Sequence, residues 1–566
     1  RDLTNNFQLN IHSMEGLMFK GQLGLRRTDG RTDNFTDPAD PIYDVTSADK
    51  KGELNRQENN NWSWNGKAMF YYNHVFGNHF INATAGGEVS ESESESLSYI
   101  LNGFQLGNMH EPQFAATQAN PVNVSESKTR KIGFLASVNY AYNDIYLFDG
   151  SFRLDGSSDF GRDKQFAPFW SVGVGLNVHN YDFLKGHWLI SRLKVRASYG
   201  STGNVGFAPY TAITTFQTAT DAWFFTGPAA SLMALGNSRL TWQTTYKLDV
   251  GFNIGLLNDK ITLEGSYYRN ETEDLIDDVK IPAYSGFTSY KENSGSTLNE
   301  GFEIAVTSTL FQNKDWMVTF MANLSSNRSK ITELSEEMNA YNETILAEYE
   351  KEDSEYRDVL SRPLMLYYKG KSLSSIYAVR SEGIDPANGR ERFIKKNGMS
   401  TYTWDANDQV VVGDTEPDAK GSFGINVGWK GITLNAYFNY QWGGQSYNST
   451  LADKVENAQI STQNVDKRVL SARWKNAGDV VPYYDLSKNP TQNPTSRFVQ
   501  DDNRLDFTSL SIGYDFSRQL ISKWKLKSLS VQFSANDLCK WRSVKEERAI
   551  NYPFARSFSF SLNVGF

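Results

Sequence analysis

The last ten residues, SFSFSLNVGF, separate completely by parity. Phe558, Phe560, Leu562, Val564 and Phe566 fall on one face of an extended strand, and Ser557, Ser559, Ser561, Asn563 and Gly565 on the other, because successive side chains of a strand point to opposite faces. The split recurs along the chain. Leu529, Val531, Phe533 and Ala535 alternate with Ser528, Ser530, Gln532, Ser534 and Asn536; Ile432, Leu434, Ala436, Phe438, Tyr440 and Trp442 alternate with Thr433, Asn435, Tyr437, Asn439 and Gln441. Trp170, Val172, Val174, Leu176 and Val178 oppose Ser171, Gly173, Gly175, Asn177 and His179, and Trp242, Tyr246, Leu248, Val250, Phe252, Ile254 and Leu256 oppose Gln243, Lys247, Asp249 and Asn253. Many of these runs are about twice the mean globular strand of about 5 or 6 residues, and they often begin or end in Trp or Tyr.

Alternation alone fits a soluble sandwich as well as a membrane barrel. Length and aromatic ends favour the barrel, since a tilted strand crosses a bilayer in about 9 to 11 residues and carries aromatics at the interfaces. The polar faces hold charge: Asp149, Arg153 and Asp155 lie opposite Tyr146, Phe148, Phe152 and Leu154, and Lys194 and Arg196 lie opposite Leu193, Val195 and Tyr199. Such groups need water or partners, which a polar lumen supplies. No uncharged apolar run of about 18 residues marks a transmembrane helix, a test to which barrel strands are invisible. The single Cys539 excludes an internal disulfide framework and a Cys-based zinc site, and the net charge of -8 argues against nucleic acid as a partner.

Connections give a second test. Short links fall at SMEG near Met14, FGNH near Gly77, YND near Asn143, LND near Asn258, QNKD near Lys314 and WKG near Lys430. Between them lie long polar links at residues 30–60, 101–128, 201–239, 276–297, 334–364 and 443–503. Outer-membrane barrels alternate short periplasmic turns with longer extracellular loops in this way. The expected fold is therefore an all-β, antiparallel transmembrane β-barrel occupying residues 1–566. Counting back from the final strand gives about 19 strands, with one over Leu364–Gly383 running inward and a weak one near Arg390–Lys396 returning. An odd count, and a first residue Arg1 without Met or signal peptide, lead to the expectation of about three further strands upstream, about 22 in the full protein. Phe566 is then a natural end and part of the barrel-assembly signal.

Five blocks carry a family resemblance: YLFDGSFRLDGSSDFGRDKQFAPFWSVGVGLNVHN (Tyr146–Asn180), LKVRASYGSTGN (Leu193–Asn204), LTWQTTYKLDVGFNIGLLNDKITLEGSYYRNETEDLI (Leu240–Ile276), NEGFEIAV (Asn299–Val306) and EGIDPANG (Glu382–Gly389). They resemble the SusC-like TonB-dependent transporters of the Bacteroidetes outer membrane. The resemblance implies a 22-stranded barrel with an N-terminal plug, neither the plug nor the TonB-contacting segment having a counterpart in these residues. It also implies a SusD-like surface lipoprotein as a lid, the TonB–ExbB–ExbD system as energy source, outer-membrane lipid around the barrel, and import of oligosaccharides, with peptides or metal chelates as an alternative cargo. A passive porin would keep the barrel without the plug.

No catalytic constellation is evident, and an enzyme is not expected. His74 and His79 flank a predicted turn without a metalloprotease pattern and read as solvated turn residues. YYKGKS ends like a phosphate loop, but Met365 stands where its first glycine should be, so it reads as part of a strand entering the membrane. The acidic stretch Ile345–Asp358 reads as a solvated loop helix. Asp29, Asp33, Asp37, Asp40 and Asp44, in DGRTDNFTDPADPIYD, are weak candidates for Ca²⁺, since carboxylates suit that ion but the spacing is not an EF-hand; no other cofactor is expected. Aromatics on the long links are the better site candidates, because sugar rings pack C–H faces on Trp and Tyr. These are Trp223, Phe224 and Phe225 in DAWFFTG, and Trp474, Tyr483 and Tyr484 in the longest link, as contacts to ligand, to neighbouring loops or to the lid.

Overall fold

The computed structural model describes all residues except 225–226, 281–288, 352–359, 459, 461–464, 466, 486–491 and 545–555. The chain divides into two compact units, one of residues 1–174, 200–244 and 276–293, the other of residues 175–199, 245–275 and 294–566.

In the first unit, β1 (Asp2–Met14), β2 (Leu17–Thr36), β3 (Glu53–Phe76), β4 (His79–Asn102), β5 (Asn123–Tyr142) and β6 (Tyr146–Ser157) form an antiparallel meander in which each strand pairs with its chain neighbour. The predicted short links are the tight turns. At Gly16 a side chain is excluded, since a Cβ there would lie 2.2 Å from the Asn73 carbonyl oxygen. Asn143 and Asp144 close the β5–β6 turn in the left-handed region at φ 53° and 54°, which Asn and Asp tolerate better than most residues.

The parity reading fixes the faces of these strands. Phe7, Leu9 and Ile11 of β1, Phe70 of β3, Phe134 of β5 and Phe148 and Phe152 of β6 are exposed on the apolar face. On the polar face Lys67 Nζ lies 2.9 Å from Glu88 Oε2, and Arg153, 2.6 Å from Asp155, also pairs with Glu88. The Arg153–Glu88 pair reaches across β5 at Gly133, where a Cβ would come within 3.0 Å of the guanidinium. The charges that demanded water or partners thus find partners along that face.

Next to the turns the apolar face carries a chain of rings: Tyr72–His74 at 6.0 Å, His74–Phe76 at 5.8 Å, Phe76–His79 at 5.2 Å, His79–Tyr142 at 4.9 Å and Tyr142–Tyr146 at 6.3 Å. His74 and His79 are therefore members of an aromatic belt rather than isolated solvated residues, and His79 Nδ1 is 2.7 Å from the Tyr140 hydroxyl. β3 and β4 have 24 residues each, more than twice the length of about 10 that spans hydrocarbon. Past Val89 the same face changes to ion pairs, Arg130–Glu91 at 2.5 Å and Lys128–Glu93 at 2.9 Å. The strands outrun a bilayer, and the expected long links at residues 30–60 and 101–128 are correspondingly shorter than the sequence suggested. β7 (Phe166–Asn177) and β8 (Ile190–Asn204) follow, and Phe160, Phe169 and Trp242 form a small buried cluster in this unit.

In the second unit, β9 (Gln243–Leu256) is followed by β10 (Ile261–Glu273), β11 (Ser296–Gln312) and β12 (Trp316–Glu333), of which β10, β11 and β12 pair in order. The chain then leaves the sheet for α1 (Glu336–Glu350) and a separate small sheet made of β13 (Ser375–Ile384), β14 (Glu391–Ile394), β15 (Ser400–Thr401) and β16 (Gln409–Asp414). It returns as β17 (Ala419–Trp429), which pairs directly with β12, and continues through β18 (Ile432–Trp442). After β19 (Gln445–Tyr447) and β20 (Val499–Asp501), which pair with each other, β21 (Arg504–Asp515), β22 (Ser528–Arg542) and β23 (Ser557–Gly565) complete the meander.

Two expected wall strands are thereby corrected. Of residues 364–383 and 390–396, those that form strands, from 375 onward and 391–394, belong to the small sheet, so among the described residues about 17 long strands remain where about 19 were expected. The physical reason is burial: residues 375–379 of β13 are buried on both faces, as suits a strand covered on two sides and not one with a lipid face. YYKGKS ends in a turn ahead of β13. The acidic helix is also not simply solvated, since α1 packs Ile345, Leu346 and Tyr349 with Leu360, Trp404 and Ala406. The final strand keeps its parity: Phe560 and Leu562, 71% and 58% exposed, lie across from Phe533 and Val531 of β22. Trp316 and Trp429, beside the tight turns, stack at 5.4 Å. Among the described residues no helix is long and apolar enough to cross a membrane, which says nothing of strands.

Candidate functional site

The two long links of the second unit, residues 334–418 and 443–503, leave the sheet at the end opposite the tight turns and pack together. Their meeting point begins at the turn DPANG. Asp385 Oδ1 accepts from Ala387 N at 2.9 Å, Asn388 Oδ1 accepts from Arg390 N at 2.9 Å, and Gly389 adopts φ +71°. Gly389 is required twice over, because a Cβ would also lie 2.5 Å from the Trp474 ring. Trp474 Nε1 and Gly478 N both donate to the Pro386 carbonyl, at 2.9 and 2.8 Å, so the second link clamps the turn of the first.

Behind this clamp is a cavity of about 460 Å³. Its apolar wall comes from Phe393, Tyr402 and Trp404 of the first link and Tyr484 and Phe498 of the second. Trp404 is held from behind by Tyr349 of α1, ring centres 5.2 Å apart, and its Nε1 donates to Pro494 O at 3.2 Å. The polar wall centres on Arg497. Its Nε and Nη2 form a bidentate pair with Glu391 at 2.8 and 2.7 Å, Nη2 also reaches Glu456 at 2.8 Å, and Nη1 donates to Pro482 O at 2.6 Å. Arg390 lies over the Tyr402 ring at 5.0 Å. Thr495, 2% exposed, lines the same space, and its hydroxyl has no hydrogen-bond partner among the described residues.

A second arginine builds the far wall. Arg473, buried, donates to the carbonyls of Val469 at 2.5 Å, Glu456 at 2.8 Å and Tyr484 at 3.1 Å, and also to Val455. It thereby ties residues 455–456 to 469 and 484 and positions Tyr484, whose hydroxyl bonds Asn457. Burial pushes the Glu456 carboxyl up to about 7, with Arg497 pulling the other way. Burial works against the charge on Arg497, but Glu391 and Glu456 outweigh it and hold the guanidinium above its ordinary value. Burial, with the Glu456 carboxylate nearby, raises the Tyr484 phenol.

The structure distributes the expected site residues unevenly. Tyr484 lines the cavity; Trp474 supports its entrance turn; Tyr483 lies beside the Arg473 guanidinium, 6.0 Å from the ring centre. Trp223 and Phe224 end the first strand of a hairpin in the other unit, where their backbones pair with Pro228 and Gly227. Phe225 lies outside the described residues. The Asp-rich run is engaged elsewhere: Asp33 by Arg56 at 2.7 Å and Arg31 at 2.6 Å, Asp29 by Arg27 at 3.0 Å, and Asp37 and Asp40 by the backbone amides of Ala39 and Ile42. Among the described residues no three His, Cys, Asp or Glu side chains gather as a metal site. Trp404, Tyr402, Glu391, Thr495 and Arg497 were missed. The only sequence signal near them was the Asn-Gly turn of EGIDPANG, followed by alternating RERFI and STYTW.

The family model described as TonB dependent receptor-like, beta-barrel matches residues 2–459. The chain belongs to this family, an outer-membrane one. The all-β antiparallel barrel read from the sequence is the family's fold. TonB-dependent receptor P3 of Formosa agariphila is 24% identical over 99% of this chain and 58% of its own length. TonB-dependent receptor SusC of Bacteroides thetaiotaomicron is 23% identical over 83% of this chain and 46% of its own. The structure titled RagAB peptide importer in the 'open-open' state superposes with a TM-score of 0.85 at 22% identity, covering 100% of this chain and 61% of that one. The chain thus spans about half the length of the curated relatives it matches.

Proposed function

We propose that this chain is the wall and loop portion of a TonB-dependent importer that brings oligosaccharides across the outer membrane with a SusD-like lipoprotein closing over its long loops. The observation that carries the reading is the cavity between the two long links, where aromatic faces stand beside carboxylate, amide and hydroxyl groups. That combination suits a sugar, whose C–H faces are apolar and whose hydroxyls both donate and accept. Energy from the TonB–ExbB–ExbD system, passed through a plug, accords with family membership and with the greater length of the relatives.

The test is deletion of the gene in its native host, followed by growth on a set of single polysaccharides and on glucose. Loss of growth on one polysaccharide with normal growth on glucose is expected, and a tagged barrel should co-purify with a surface lipoprotein. Normal growth on every polysaccharide would overturn the glycan reading. Peptide import is the second reading, favoured by the likeness to the structures titled as RagAB peptide transporters; growth of the same strain on peptides as sole nitrogen source separates the two.

A further inference from the structure

We propose that the cavity walled by Phe393, Tyr402 and Trp404 is a subsite of the barrel's own loops that takes one uncharged sugar ring without help from a lid. The proposal rests on the glycan reading above and adds to it the place, the charge and the autonomy of capture.

Size comes first: about 460 Å³ lies within the range of small-ligand sites, roughly 300 to 1,000 Å³, and exceeds what a bound water needs. Charge decides the ligand class. Four ionisable groups line the space, Arg390, Glu391, Glu456 and Arg497, and above about pH 7, where Glu456 is ionised, two cations face two anions. Arg497 has its donors committed to Glu391, Glu456 and the Pro482 carbonyl, and Arg390 lies over Tyr402. At that pH a charged ligand, such as a uronic acid or a peptide terminus, would lose hydration and meet a wall without net charge. A neutral polyol meets lone pairs and donors at no such cost.

Thr495 supplies the polar handle. Its hydroxyl is nearly inaccessible, lacks a partner among the described residues, and belongs to a residue of the cavity wall. A hydroxyl can donate and accept at once, as a ring hydroxyl opposite it requires, and a buried polar group left unpaired is unfavourable until something bonds it. The walls are preformed. Trp404 is fixed by Tyr349 and Pro494, the entrance turn by Trp474, and Tyr484 by Arg473 and Asn457. A site that is already ordered binds without first paying for ordering, so lid closure is not needed to assemble it.

The experiment uses the full-length barrel in detergent, purified without lipoprotein, and calorimetric titration with maltotriose, cellotriose, laminaritriose, mannotriose and xylotriose, alongside tri-galacturonate and trialanine. At least one neutral trisaccharide should bind. Thr495→Val, which keeps shape, should weaken it by about five- to tenfold, the loss of one hydrogen bond. Trp404→Ala should weaken it further and Trp404→Phe retain most of it; heat-modifiable migration on a gel reports that each variant is folded. Binding of a neutral sugar unaffected by Thr495→Val and Trp404→Ala would overturn the subsite and leave the glycan reading standing. Binding of trialanine in place of every sugar would overturn both, tighter binding of tri-galacturonate would overturn the charge argument, and no sugar binding until lipoprotein is added would overturn the autonomy.

Discussion

Glu456 is the residue whose ionisation most affects the loop assembly. Its side chain is 1% exposed and burial raises its carboxyl to about 7, above the ordinary value of 4.5. Between about 4.5 and 7 the folded loops hold a proton that the unfolded loops release, so stability falls as pH rises through that window and levels off above it. The shift sets an upper figure of about 3 kcal/mol. Hydrogen exchange, corrected for its intrinsic rate, should show protection of residues 452–458 and 467–484 falling from pH 5 to 7 in the native protein and staying flat in Glu456→Gln. A flat native profile would remove Glu456 from this role. At this scale the sequence was only partly legible. Tyr484 could be picked out as an aromatic on a long link, whereas Trp404 meets Pro494 from 90 positions away, and no local pattern tells which loop residues converge. Thr495 gave no signal, because an unpartnered hydroxyl exists only once the fold has closed around it.

At the level of elements, parity was legible because it follows from strand geometry alone. Phe560 and Leu562 sit on the exposed apolar face with their cross-strand partners Phe533 and Val531. Phe560→Arg should therefore cost about 2 to 4 kcal/mol if it meets the bilayer midplane, and Ser559→Arg much less. The fraction of heat-modifiable barrel in isolated membranes checks this, and equal damage by both would refute the face assignment. The strand expected over Leu364–Gly383 was placed in the wrong sheet, because Ile376, Tyr377, Ala378 and Val379 are consecutive apolar residues buried on both sides. The pattern names the faces of a strand without naming the sheet that receives it. Turn chemistry was more reliable: the expected short links at Asn143, Asn258 and Lys430 all contain residues with positive φ.

On the scale of the whole molecule, the boundary between lipid and water can be read along β3, β4 and β5. Aromatic rings mark one edge beside the tight turns, and Arg130–Glu91 and Lys128–Glu93 lie beyond the other. Arg130 is exposed and Glu91 partly buried, and Lys128 keeps Glu93 as a partner when Glu91 is removed, so replacing Arg130 and Glu91 together by Ala should alter stability by less than about 1 kcal/mol. Phe134→Arg, two outward steps nearer the turns, should lower folded barrel sharply. Urea titration of the barrel refolded into lipid vesicles distinguishes the two, and a reversed order would move the boundary.

The connection from β12 to β17 has a further consequence. Neighbouring wall strands pair in register although the 334–418 excursion separates them in the chain. Closing a longer loop adds only about 0.6 kcal/mol for each doubling of length, so this excursion of roughly 85 residues costs the wall under about 3 kcal/mol more than a four-residue turn would. The register of β12 against β17 is written in the strands themselves. Evolution can therefore lengthen, shorten or exchange this loop, and with it the wall of the cavity, while the membrane wall beneath is inherited unchanged.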